Sequence, residues 1–213
     1  MPTKPRSTTP QDDLAFMRAI VEGDSRPPVT LAICYLAGGV LYGVQCLFHI
    51  GQIVGLIRWP ELANLVFLIA ITGTFLAILT WAIIEDRRTG QGARGPMASR
   101  TMSAAFSSAG MANTAVLIIF GFGAARDQDF AIWLYYASII FALQAAAWLM
   151  AWTLRKKLWM LLTALGGWVA AVALGLLVRE PVLYLCVCTA ALFLLFAGPG
   201  IILFRAARAP RAA

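Results

Sequence analysis

Apolar residues in this chain run in long unbroken blocks separated by short polar segments. Six blocks, at 29–57, 62–84, 101–125, 130–154, 158–178 and 181–204, contain no Asp, Glu, Lys or Arg. A helix needs about 20 apolar residues to cross a hydrocarbon layer of about 30 Å, and every block reaches that length. Strands of an outer-membrane barrel would instead show segments of about 10 residues alternating in polarity. The blocks do not alternate. The pattern predicts an all-α polytopic membrane protein, a six-transmembrane-helix bundle.

The polar segments divide the rest. Residues 1–28 form an N-terminal segment, 29–204 the six-span membrane domain, and 205–213 a basic tail. Within the first lies "TPQDDLAFMRAIVEG", which predicts a short amphipathic helix. Thr9 can cap it, Pro10 suits its first position, Asp12 and Asp13 favour the positive end of its dipole, and Gly23 can close it. Leu14, Met17, Ile20 and Val21 share one face, fit either for the membrane surface or a partner, or for packing on the protein's own loops. The polar, Pro-rich start and the length of the first block predict that the first span is retained rather than cleaved. The longest connector, "EDRRTGQGARGPMASR", has irregular glycines and no Gly-Lys-Ser/Thr, so it reads as a linker and not a phosphate loop.

Polar residues inside the blocks are few and ordered. On the first block Tyr35, Gly38, Tyr42, Gln45, His49 and Gln52 follow steps of three and four, which places them in one stripe. Amides and an imidazole cannot face lipid with unpaired donors and acceptors, so the stripe is expected to meet a neighbouring helix or a cavity. Tyr42, Gln45, His49 and Gln52 then either line a path for a small polar solute or lipid headgroup, or serve as interhelical hydrogen-bonding glue. On the third block Ser103, Ser107, Gly110 and Thr114 form a second line with Asn113 nearby, and Gln144 lies in the fourth. Tyr42, Gln45, His49, Gln52, Ser107, Asn113 and Gln144 are the candidate binding residues. The pairs Gly39/Gly43 and Gly51/Gly55 have the Gly-x-x-x-Gly spacing of close helix packing. "GPG" at 198–200 is expected to disturb the sixth helix near its end, because Pro199 removes a backbone donor.

Charge adds orientation. If the chain crosses six times, 14 of its 17 Lys and Arg fall on the side of the termini, and only Arg58, Arg126 and Arg179 on the other. Basic residues in short loops stay cytoplasmic, so both termini are expected in the cytoplasm. The net charge of +7 is thus a topology signal directed at membrane lipids, with no nucleic-acid patch implied. Composition agrees: 61% of residues are hydrophobic and 13% charged, against about 25% charged in soluble domains. Arg outnumbers Lys by 14 to 3 and Ala is abundant, which suggests a GC-rich bacterial genome and hence a bacterial inner membrane. Cys34, Cys46, Cys186 and Cys188 all lie in spans, where they behave as small hydrophobes; Cys186 and Cys188 point to different sides of one helix and make no Cys-x-x-Cys motif.

A 3+3 inverted repeat is a further expectation. Shifting the chain by 99 residues pairs "AICYLAGGVLYGVQ" with "AIWLYYASIIFALQ", matching Ala32 with Ala131, Ile33 with Ile132 and Gln45 with Gln144. Because three is odd, the second copy would be inverted, as in several transporters.

The spans carry no carboxylate for a proton relay or sodium site, one histidine cannot ligate a b-type haem twice, and no hydrolase or metalloprotease motif is present. The expectation is a protein that is not an enzyme and takes no cofactor or metal. Two functions remain. One is binding or permeation of a small neutral solute or lipid through a polar seam of the first, third, fourth and sixth helices. The other is a non-catalytic accessory or assembly subunit, as a homo-oligomer or within a larger membrane complex.

Overall fold

The computed structural model describes residues 29–89 and 97–208; the amphipathic segment expected near the N-terminus and the basic tail beyond Arg208 lie outside them. Among the described residues every regular element is helical. They are α1 (Val29–Ile53), α2 (Glu61–Thr89), α3 (Met97–Asp127), α4 (Phe130–Arg155), α5 (Leu158–Leu176), α6 (Pro181–Leu192), a π-helical turn (Phe193–Ala197) and α7 (Gly198–Arg208). The last three make one continuous span, Pro181–Arg208, and among the described residues six helices are long and apolar enough to cross a membrane.

Local chemistry sets the ends. α1 stops where Gly55 takes φ +82°, and the amides of Leu56 and Ile57 turn back to the Gly51 carbonyl at 2.8 and 3.1 Å. Left-handed backbone of this kind favours glycine. Gly55 is therefore a terminator, and the Gly51/Gly55 pair expected to pack helices does not do so: nothing lies within 4 Å of a Cβ at Gly55. Asp129 caps α4 by accepting from the Ala131 amide at 2.9 Å. Lys156, left-handed at φ 53°, closes the same helix by donating its amide to the Trp152 carbonyl at 2.7 Å. Pro181 opens α6, where its missing N–H costs nothing.

The helices pack in a chain of neighbours: α2 on α1, α1 on the sixth span, the sixth span on α5, α5 on α4, and α4 on α3. The tightest seam joins α1 to the sixth span. A Cβ on Gly39 would stand 2.4 Å from the Ala197 nitrogen and 2.8 Å from the Leu192 carbonyl; one on Gly200 would stand 2.5 Å from the Leu36 nitrogen. Glycine at both positions lets two backbones touch, which is how membrane helices gain packing without a hydrophobic driving force between them. The disturbance expected from Pro199 takes the form of the π turn just before it, where the Gly198 amide bonds to the Phe193 carbonyl five residues back. That turn presents Leu192, Phe193 and Ala197 to Gly39 and Gly43.

Toward the end of the bundle where α1 begins, Phe106 and Ala109 of α3, Ala147, Trp148 and Ala151 of α4, Met160 and Ala164 of α5 and Leu203 of α7 close around Tyr35 of α1. Large apolar side chains elsewhere, such as Leu65, Ile69 and Leu76 on α2 and Met111, Ile119 and Phe122 on α3, point outward. A soluble protein would not expose so many, whereas hydrocarbon solvates them as well as a core does.

Candidate functional site

The polar line of α1 is shared among several neighbours. At its N-terminal end the Tyr35 hydroxyl donates to Gln144 Oε1 on α4 at 2.5 Å, with both residues buried. Aromatic rings surround the pair. Phe196 stacks on the phenol at 5.0 Å between centroids, and Phe106 and Trp148 meet it edge to face at 5.5 and 5.2 Å. Trp148 is 1% exposed, and its indole Nε1 is buried without a hydrogen-bond partner. In so dry a setting the phenol and the amide gain by pairing, because neither finds water. Gln144 is thus committed to Tyr35 and not to Gln45.

At the other end of α1, His49 Nδ1 lies 3.0 Å from Gln52 Oε1, and Gln52 Nε2 donates to Asn64 Oδ1 of α2 at 2.5 Å. This relay ties α1 to α2 beneath the turn at residues 54–60, and it engages two of the candidate residues in packing. Asn64 escaped the sequence reading because a single amide at the start of an apolar block gives no periodic signal. Between the two ends, Tyr42 packs on Phe75 of α2 at 5.4 Å.

Two candidates keep an unmet demand. Gln45 Oε1 on α1 and Asn113 Oδ1 on α3 are both buried and have no hydrogen-bond donor. Phe106 and Tyr35 touch, and Asn113 and Gln45 lie seven and ten residues further along their helices. At 1.5 Å per residue both oxygens therefore sit about 10–15 Å beyond the aromatic cluster, toward the face that carries Arg58, Arg126 and Arg179. Ser107 is exposed on α3, as are Ser103, Gly110 and Thr114, so that line does not face α1. Its separation from Asn113 follows from the helical period: Asn113 continues the Phe106–Ala109 face that packs inward, and Ser107 stands about a third of a turn away.

Among the described residues no three His, Cys, Asp or Glu side chains come together in a way that could hold a metal ion. An open groove at the start of α2, running from Trp59 and Pro60 to Phe67 and Ala70, has an apolar lining and does not reach the buried amides. The fold and these contacts define a multi-pass helical membrane protein with a mostly self-satisfied polar interior. Comparison with protein-family models, with curated proteins and with solved structures found no match.

Proposed function

We propose that the protein binds a small neutral molecule, or a polar group of a lipid, that donates hydrogen bonds to the buried amide oxygens of Gln45 on α1 and Asn113 on α3. It does so without catalysis or a cofactor. The observation that carries this reading is the pair of buried amide oxygens without donors. Leaving a polar group buried and unpaired costs about 1–3 kcal/mol, so each of these oxygens is a place where an external donor is gained. Gln144 is engaged by Tyr35 and Tyr42 packs on Phe75 of α2, while His49 and Gln52 hold α1 to α2.

Native mass spectrometry of the protein in nanodiscs tests the reading. Wild-type protein is expected to retain a small molecule that Gln45→Leu and Asn113→Leu each lose. Retention of the same molecules by both variants, together with raised thermal midpoints, would make the amides mere packing defects and overturn it.

Assembly is a second reading, favoured by one observation. α3 packs chiefly on α4 and exposes Ser103, Ser107, Gly110 and Thr114, with open space at Gly110, a surface shaped for close approach of another helix. Stoichiometric co-purification of a membrane partner, lost on Gly110→Leu, is the outcome that would favour it. Under either reading we propose that the basic face, with Arg87, Arg88, Arg100, Arg155, Lys156, Lys157, Arg205 and Arg208, lies on the cytoplasmic side of a bacterial inner membrane, since basic residues in short loops stay cytoplasmic. Reporter fusions after Lys157 and after Arg58 are expected to read cytoplasm and exterior respectively.

A further inference from the structure

The sixth span brings Cys188 to Cys46 of α1. Their sulfurs lie 3.9 Å apart although the residues are 142 positions apart in sequence. The seam that holds them is closely packed, since Gly39 and Gly43, two turns and one turn before Cys46, set α1 directly against Leu192, Phe193 and Ala197. Neither helix can drift from the other without losing that contact. A disulfide needs sulfurs at about 2.05 Å, and a change of side-chain rotamer at a cysteine moves its sulfur far enough to close the gap. Both residues lie seven positions from the end of their helix on the same face, about 10 Å in, and thus at one depth. The remaining cysteines are different. Cys186 is exposed on the other side of α6, and Cys34 has no thiol neighbour among the described contacts.

We propose that Cys46 and Cys188 form a peroxide-responsive dithiol, a modification site that covalently joins α1 to the sixth span. The oxidant is a hydroperoxide, small or lipid-borne. Cys46 is partly exposed and Cys188 is buried, so Cys46 is the first to react. Its sulfur attacks the near peroxide oxygen, the O–O bond breaks, and the leaving oxygen takes the thiol proton as water or an alcohol. The resulting Cys46 sulfenic acid is then attacked by the Cys188 sulfur. The S–S bond forms, the S–O bond breaks, and the departing hydroxide takes the Cys188 proton as water. Two electrons pass from the dithiol to the peroxide, and a thiol reductant reverses the change.

The test treats membranes containing the full chain with hydrogen peroxide, blocks free thiols under denaturing conditions and maps the peptides. A Cys46–Cys188 cross-linked peptide is expected to accumulate with dose and to vanish on reduction, while Cys34 and Cys186 stay out of any link. In Cys188→Ser the Cys46 sulfenic acid, with no resolving thiol, is expected to be trapped by dimedone. Absence of the linked peptide in wild-type protein at doses that oxidise Cys186, or links formed by Cys34 or Cys186 instead, would overturn the proposal. The wild-type measurement does not depend on a variant folding.

Discussion

Tyr35 shows how one hydroxyl organises the centre. Its oxygen donates to Gln144 while its ring is enclosed by Phe106, Trp148 and Phe196, so the polar bond sits inside an apolar shell. Removing the donor leaves Gln144 Oε1 buried and unpaired. Tyr35→Phe is accordingly expected to destabilise the protein by about 1–2 kcal/mol, within the range for interhelical bonds in membranes. The double variant Tyr35→Phe/Gln144→Leu should recover much of that loss, because it removes the orphan as well as the bond. Unfolding in mixed micelles measures both, and equal losses in the single and double variants would mean that the aromatic shell, not the bond, holds the site. The periodicity of α1 made its stripe legible in the sequence, and Gln144 was picked out by the shift of 99 residues that pairs it with Gln45. Which residues meet was not legible, since Tyr35 and Gln144 are 109 positions apart and nothing in helical spacing reports a partner across the bundle.

At the scale of elements, the six spans could be read from the blocks because hydrocarbon imposes both length and apolarity. The ends moved where backbone chemistry overrode composition: the first block runs to residue 57, yet α1 stops at Ile53 because the Gly55 turn consumes its last carbonyls. Gly-x-x-x-Gly spacing likewise gave one correct pair and one incorrect, as spacing alone cannot separate a packed glycine from a terminating one. The structure makes the distinction testable. Gly39→Ala and Gly200→Ala drive a methyl into the opposing backbone, and each is expected to cost about 1–3 kcal/mol. Gly73→Ala and Gly110→Ala meet open space and should be neutral or, through helix propensity, stabilising by up to about 1 kcal/mol. Thermal midpoints of the four variants in one detergent check the ranking; similar losses at all four would mean that helix propensity in lipid, rather than the α1 seam, governs these sites.

The whole molecule is tied together by contacts between its ends. An inverted repeat would exchange α1 with α4, α2 with α5, and α3 with the sixth span. The pairings of α1 with α2 and of α4 with α5 obey it, as do those of α1 with the sixth span and of α4 with α3. The packing of α5 on α6 has no comparable counterpart between α2 and α3. The polar chemistry is uneven too: the shift of 99 that matches Gln45 with Gln144 puts Leu134 at the place of Tyr35, so the second copy offers no phenol to the first copy's glutamine. The arrangement leaves each half incomplete, since α1 finds its tightest partner in the sixth span and α4 takes α3 from the first half. Chain continuity between α2 and α3 therefore carries little of the packing. Co-expressed fragments 1–92 and 93–213 are expected to reassemble, with a tag on one recovering the other in detergent. Introducing Gly39→Leu should abolish that recovery, because a leucine there holds the first fragment off Leu192 and Ala197. Recovery that survives Gly39→Leu would place the holding contacts at the Tyr35 cluster instead, where α1 meets α3 and α4 through side chains rather than backbone.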